Sequence, residues 1–125
     1  MKNTAFFILF LGFIAVLSSC GKSKSDTLAR KWKLTEAEFA GNKLASDQVS
    51  AVYLFNSDGT FEITSEGMTD DGLWTLNEET NMLTLEYNDE NRKLELHLDE
   101  ISNEKVKMSW EEFTMKYAAT LSPAE

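Results

Sequence analysis

From Arg30 to Leu121 the chain alternates apolar and polar residues with a period of two, interrupted at short intervals by clusters of Asn, Asp, Ser and Gly. That period belongs to β-strands with one buried face, because successive side chains on a strand point to opposite sides. KWKLTEAEF (31–39) places Trp32 and Leu34 on one face, then slips to Ala37 and Phe39, which predicts a bulge near Thr35–Glu36. GNKLASDQVS (41–50) reads as a loop or short helical turn whose Leu44 and Val49 cap one end of a core. AVYLFNSDGTFEIT (51–64) carries the strongest local signal. Asn56-Ser57-Asp58-Gly59 separates two β-rich runs, and a three-residue loop with a bulge at Gly59 pairs Phe55 with Phe61. Tyr53, Phe55, Phe61 and Ile63 then share one face.

The same pattern runs on through Trp74 and Leu76, Leu83, Leu85 and Tyr87, Leu94, Leu96 and Leu98, Val106, Met108 and Trp110, and Phe113, Met115, Tyr117 and Ala119. The segments between them, including SEGMTDD (65–71), NEET (77–80), NDEN (88–91) and ISNE (101–104), read as turns. Short strands at a spacing of roughly 10–12 residues with hairpin-length links predict an all-β barrel or sandwich. Links this short favour up-and-down neighbours. The fold class expected is a single eight-stranded antiparallel up-and-down barrel, with the first strand pairing the last to remove both edges.

Residues 1–19, MKNTAFFILFLGFIAVLSS, have the layout of a secretory signal: Lys2, an apolar run from Ala5 to Leu17, then two small serines before Cys20. A membrane-crossing helix needs about 20 apolar residues, more than this run supplies. Lys2 is the only charge in this segment, so the remaining 106 residues carry a balance of −10, against −9 for the whole chain. An acidic domain lacks the basic face that nucleic acid requires, and anionic lipid repels it. Cys20 is the single cysteine, so no intramolecular disulfide can form. Leu17-Ser18-Ser19-Cys20 resembles the lipobox of bacterial lipoprotein precursors. The resemblance implies a lipidated Cys20 that becomes the acylated N-terminus, with the membrane as partner through its acyl chains. Gly21 stands where an Asp retains well-studied lipoproteins in the inner membrane, so by the same resemblance the chain is expected on the outer membrane. Some bacteria mark surface-exposed lipoproteins with an acidic cluster after the Cys; this tether is basic instead, so by the same resemblance the periplasmic face is expected. The expected organisation is a signal peptide (1–19), lipidated Cys and flexible tether (20–27), barrel domain (28–121) and C-terminal tail (122–125).

WKLT (32–35), YLFNSDGTF (53–61), GLWTL (72–76) and LTL (83–85) resemble the lipocalin-like domain of small bacterial lipoproteins, over most of residues 28–120. The F-N-x-D-G-T-F hairpin followed by G-x-W-x-L is the most specific part. Members often have Gly just before the first Trp, where this chain has Arg30-Lys31. The resemblance implies a small eight-stranded barrel and no particular ligand.

Such a barrel is either filled by its own side chains or holds one small ligand. In the second case Trp32, Tyr53, Phe61, Trp74, Tyr87, Trp110 and Tyr117 line an apolar cavity with a few polar handles, suited to a small hydrophobic molecule. In the first the barrel acts through its acidic surface, with an envelope protein or glycan as partner. His97 falls on the outward face, with no second His to complete a metal site. Asp70-Asp71-Gly72 and Asn56–Gly59 lack the spacing of a calcium loop and read as turns. Glu78-Glu79 and Glu111-Glu112 read as solvated pairs in turns, and Glu36 as a rim residue. No catalytic set can be assembled, and neither metal nor cofactor is expected.

Overall fold

The computed structural model describes residues 23–44, 50–89 and 91–124. The signal segment, Cys20 and Val49 lie outside them. Among the described residues there is one helix, α1 (Lys24–Leu28), and nine strands. The strands are β1 (Lys31–Phe39), β2 (Asn42–Leu44), β3 (Val52–Phe55), β4 (Thr60–Ser65), β5 (Met68–Asn77), β6 (Met82–Tyr87), β7 (Lys93–Ile101), β8 (Val106–Glu112) and β9 (Met115–Pro123). From β3 to β9 each strand pairs with the next, and all pairs are antiparallel. β1 closes the ring by pairing with β9 from Trp32↔Pro123 to Phe39↔Tyr117. The result is a closed eight-stranded antiparallel barrel. The ninth strand, β2, is a short appendage that continues the β3 edge of β1, where Ala37 faces Leu44.

The hairpin at Asn56–Gly59 forms as expected. Phe55 faces Phe61, Gly59 has φ 94°, and the Asp58 carboxylate accepts from the Thr60 amide (3.0 Å) and hydroxyl (2.7 Å). Those two bonds hold the Asp58 carboxyl below its usual range. The β1 bulge also lies where the slipped alternation puts it, between Leu34 and Glu36. Thr35 Oγ1 donates to the Thr120 carbonyl (3.1 Å), satisfying the disrupted ladder, and Glu36 is exposed.

Several boundaries differ from expectation. Residues 24–27, expected as tether, belong to α1, whose Ser23 side chain accepts from the Asp26 amide. A five-residue helix is marginal alone. Here it is held by the fully buried Leu28 and by Ser25 Oγ donating to Glu78 Oε2 (3.0 Å) and Lys24 Nζ to Asn81 Oδ1 (2.7 Å). The last strand extends to Pro123, beyond the expected limit at 121. Residues 42–44 form a strand, so Leu44 sits exposed on an edge and caps no core. Asp70-Asp71-Gly72 lies within β5, because Glu66-Gly67 completes the preceding turn in two residues, both with positive φ. Glu111-Glu112 lies within β8, and the following turn is Phe113-Thr114, with φ 52° and 63°. That turn removes Phe113 from the inward set: it stands 90% exposed at the tip, and Met115 is also exposed. Neither residue has the Gly or Asn character that favours left-handed backbone, so nothing local marked the turn.

The inward faces meet in a core of Leu28, Trp32, Phe55, Phe61, Trp74, Leu83, Leu85, Leu94, Leu96, Leu98, Val106, Met108, Ala119 and Leu121. α1 lies across the end formed by the 56–59, 78–81 and 102–105 turns. There the Trp32 indole N–H donates to the Leu28 carbonyl (3.0 Å), and Arg30 donates to the Asn103 carbonyl (3.4 Å) while lying over the Trp32 ring. This is the capped end. The opposite, distal end carries the 40–41, 66–67 and 113–114 turns and the connection between β6 and β7.

Candidate binding site at the distal end

The seven aromatic residues expected to line a cavity fall into two groups. Trp32, Phe61 and Trp74 belong to the packed core toward the capped end. Both indoles there are satisfied by the backbone, Trp32 by Leu28 and Trp74 Nε1 by the Asn56 carbonyl (2.9 Å). The Phe55 ring meets Trp74 edge-on at 5.6 Å. These side chains fill space.

Tyr87, Trp110 and Tyr117 lie toward the distal end and, with Tyr53, the direct partner of Trp32 across β1 and β3, are only half-buried. Trp110 and Tyr117 are direct partners across β8 and β9, and their rings stack at 5.5 Å with planes 7° apart. Phe39, brought to the inner face by the β1 bulge, meets Tyr117 edge-on at 5.0 Å. The Tyr87 ring meets Phe61 edge-on at 5.3 Å. Leu34 and Ile63, also half-buried, complete the apolar floor.

Polar groups ring this floor. Arg92, in the β6–β7 connection, lies over the Tyr87 ring at 4.8 Å and pairs with Glu112 (3.2 Å). Met68, Asp70, Asp71, Asp89 and Arg92 surround a recess of about 230 Å³ beside Tyr87. Burial pushes the Tyr53 hydroxyl up to about 12, with a contribution from Tyr87. Burial also raises Tyr87, opposed by Arg92 and reinforced by Asp70 and Glu112. Both phenols are therefore neutral hydrogen-bond donors at neutral pH. The arrangement can hold an apolar ring or chain by stacking and orient it with a few polar contacts.

Arg92 and Glu112 were not legible as a pair, since they meet only through the barrel's curvature. Phe39 was not among the expected cavity residues, although the slip in alternation at Thr35–Glu36 is the signal that turns it inward. His97 lies on the outer wall, 2.8 Å from Asp99.

No family model matches the chain, and no curated protein matches it. Among solved structures, a lipocalin-like protein from Bacteroides uniformis superposes with a TM-score of 0.61 at 18% identity, covering 78% of this chain and 98% of the other. A second protein from Bacteroides uniformis, solved by NMR, superposes with a TM-score of 0.54, also at 18% identity, over 83% and 94% of the two chains. The chain has a lipocalin-like fold.

Proposed function

We propose that the protein is a lipoprotein acylated on Cys20, whose barrel binds a small hydrophobic molecule at its distal end, at the outer membrane facing the periplasm. It acts as a binding protein and not as an enzyme. The observation that carries this reading is the uneven filling of the barrel. The aromatic residues near α1 are packed and satisfied, whereas Tyr87, Trp110 and Tyr117 at the other end, and Tyr53 between, remain half-buried. Such a set gives up unfavourable exposure when a ligand covers it. Because α1 follows the tether and caps the near end, an anchor at Cys20 leaves the distal end facing away from the membrane that holds it.

A second reading, a filled barrel that docks an envelope protein or glycan, is favoured by the exposure of Phe113 (90%) and Met68 (78%) on the distal turns. Native mass spectrometry on Gly21–Glu125, exported in its own host, separates the two. A stoichiometric adduct lost in Trp110→Ala supports the carrier. A bare chain mass under gentle conditions gives way to the docking reading. The anchor has its own test: Cys20→Ala is expected to abolish incorporation of labelled fatty acid and lipoprotein-type processing. Continued acylation of the variant would remove the anchor from the proposal.

A further inference from the structure

The barrel wall is incomplete between β7 and β8. Their ladder runs from Ile101↔Val106 to His97↔Ser109 and stops there. β7 nevertheless continues back to Lys93, paired only with β6, and β8 continues forward to Glu112, paired only with β9. The first pair left open is Leu96 and Trp110; a second step of the register would set Glu95 directly opposite Glu111, and a third would set Leu94 opposite Glu112. Like charges facing each other across a ladder are destabilising. That opposition weakens the stretch but does not by itself end a ladder, since Glu62 and Asp71 face each other within the β4–β5 pairing.

A groove of about 600 Å³ lies along this seam. Leu94, Trp110 and Glu112, which share the inward parity of their strands, line it. So do Glu95, His97, Ser109 and Glu111, which belong to the outer face. An intact wall keeps these two sets on opposite sides of the sheet. The groove thus follows the stretch where β7 and β8 run on without a shared ladder. The Arg92–Glu112 ion pair spans the seam at its distal limit.

We infer that the seam between β7 and β8 is a lateral binding groove for a single-chain amphiphile with a cationic head. The inference rests on the carrier reading above. The apolar chain passes between the strands to Leu94 and Trp110, and the ammonium head stays outside between Glu95 and Glu111. Those two carboxylates make no ion pair among the described residues. A cation between them offsets the repulsion of two neighbouring carboxylates. Lys93 at the groove's end is outnumbered by these carboxylates, so a carboxylate head is disfavoured.

The probes are dodecylamine and dodecanoate, of equal chain length and below their micellar concentrations, titrated into Gly21–Glu125. That chain retains every described element. Dodecylamine is expected to bind roughly tenfold or more tightly than dodecanoate, the scale of two partly exposed charge contacts. Glu95→Lys, which places opposite charges across the seam, is expected to abolish this preference. Hydrogen exchange gives a readout without any substitution. Amides of 93–96 and 110–112 that point across the seam are expected to exchange freely in the unliganded chain and to become protected by dodecylamine. If both amphiphiles bind equally and protect only the strands around Tyr53 and Tyr87, the seam is overturned while the carrier reading stands. If neither binds, the seam is overturned, and the carrier reading is decided by the native mass of the exported chain.

Discussion

Trp32→Ala is expected to lower the stability of the barrel by about 3–5 kcal/mol, the range for truncating a fully buried large aromatic side chain. Trp32 is 0% exposed, and its removal acts on three elements together. β1 loses the side chain that packs beneath α1. The Leu28 carbonyl loses the indole donor at 3.0 Å, and Arg30 loses the ring it lies over. The space left lies between the direct partners Tyr53 and Pro123 and beneath the fully buried Leu28, so collapse is limited and most of the cavity cost remains. Urea unfolding followed by circular dichroism measures the loss directly. A loss below about 1 kcal/mol would mean that the capped end is not packed as described, since an ordinary surface change costs no more than that.

Gly72→Ala is expected to cost a similar amount for the opposite reason. A Cβ built on Gly72 lies 1.9 Å from the Glu86 carbonyl oxygen and 2.9 Å from Phe61 Cε2. The first of these neighbours is backbone and cannot turn aside. Gly72 faces Phe61 on one side and Tyr87 on the other, and the two rings meet over it at 5.3 Å. Even one methyl group therefore forces β5 and β6 apart. Overpacking of this kind costs about 1–3 kcal/mol where side chains can adjust, and more where backbone is struck. About 3 kcal/mol would lower the melting temperature by roughly 12–24 °C in a domain of this size. An unchanged melting temperature would show that the two strands are not in close contact here. Because Tyr87 leans over the same place, the variant is also expected to loosen the polar edge of the distal site.

These two positions show how far the sequence could be read. Trp32 is legible as a core residue from its place in an alternating strand. The Phe55–Phe61 register follows from Asn56–Gly59, and the bulge at Thr35 follows from the slip between Leu34 and Ala37. All are local: they depend on the two-residue period and on turn chemistry within a few residues. Gly72 was legible only as part of a turn-like Asp70-Asp71-Gly72, which the structure places inside β5. Its intolerance of a methyl group comes from Glu86 and Phe61, residues distant in the chain that the barrel brings onto it. Phe113 misled because alternation was carried through a turn that lacks the usual residues, so a side chain with inward parity stands at an exposed tip.

What the sequence by itself determined is the face of each side chain: the period of two separates inward from outward along every strand, and short links make neighbouring strands pair. What only the tertiary structure decided is height along the barrel. Trp32, Phe61 and Trp74 have the same inward parity as Tyr53, Tyr87, Trp110 and Tyr117, yet the first three are buried core and the last four half-buried. Parity is a property of one strand and survives in the sequence. Height depends on the stagger of eight strands around a closed ring and on the end that α1 covers, and those arise only when the whole chain is assembled.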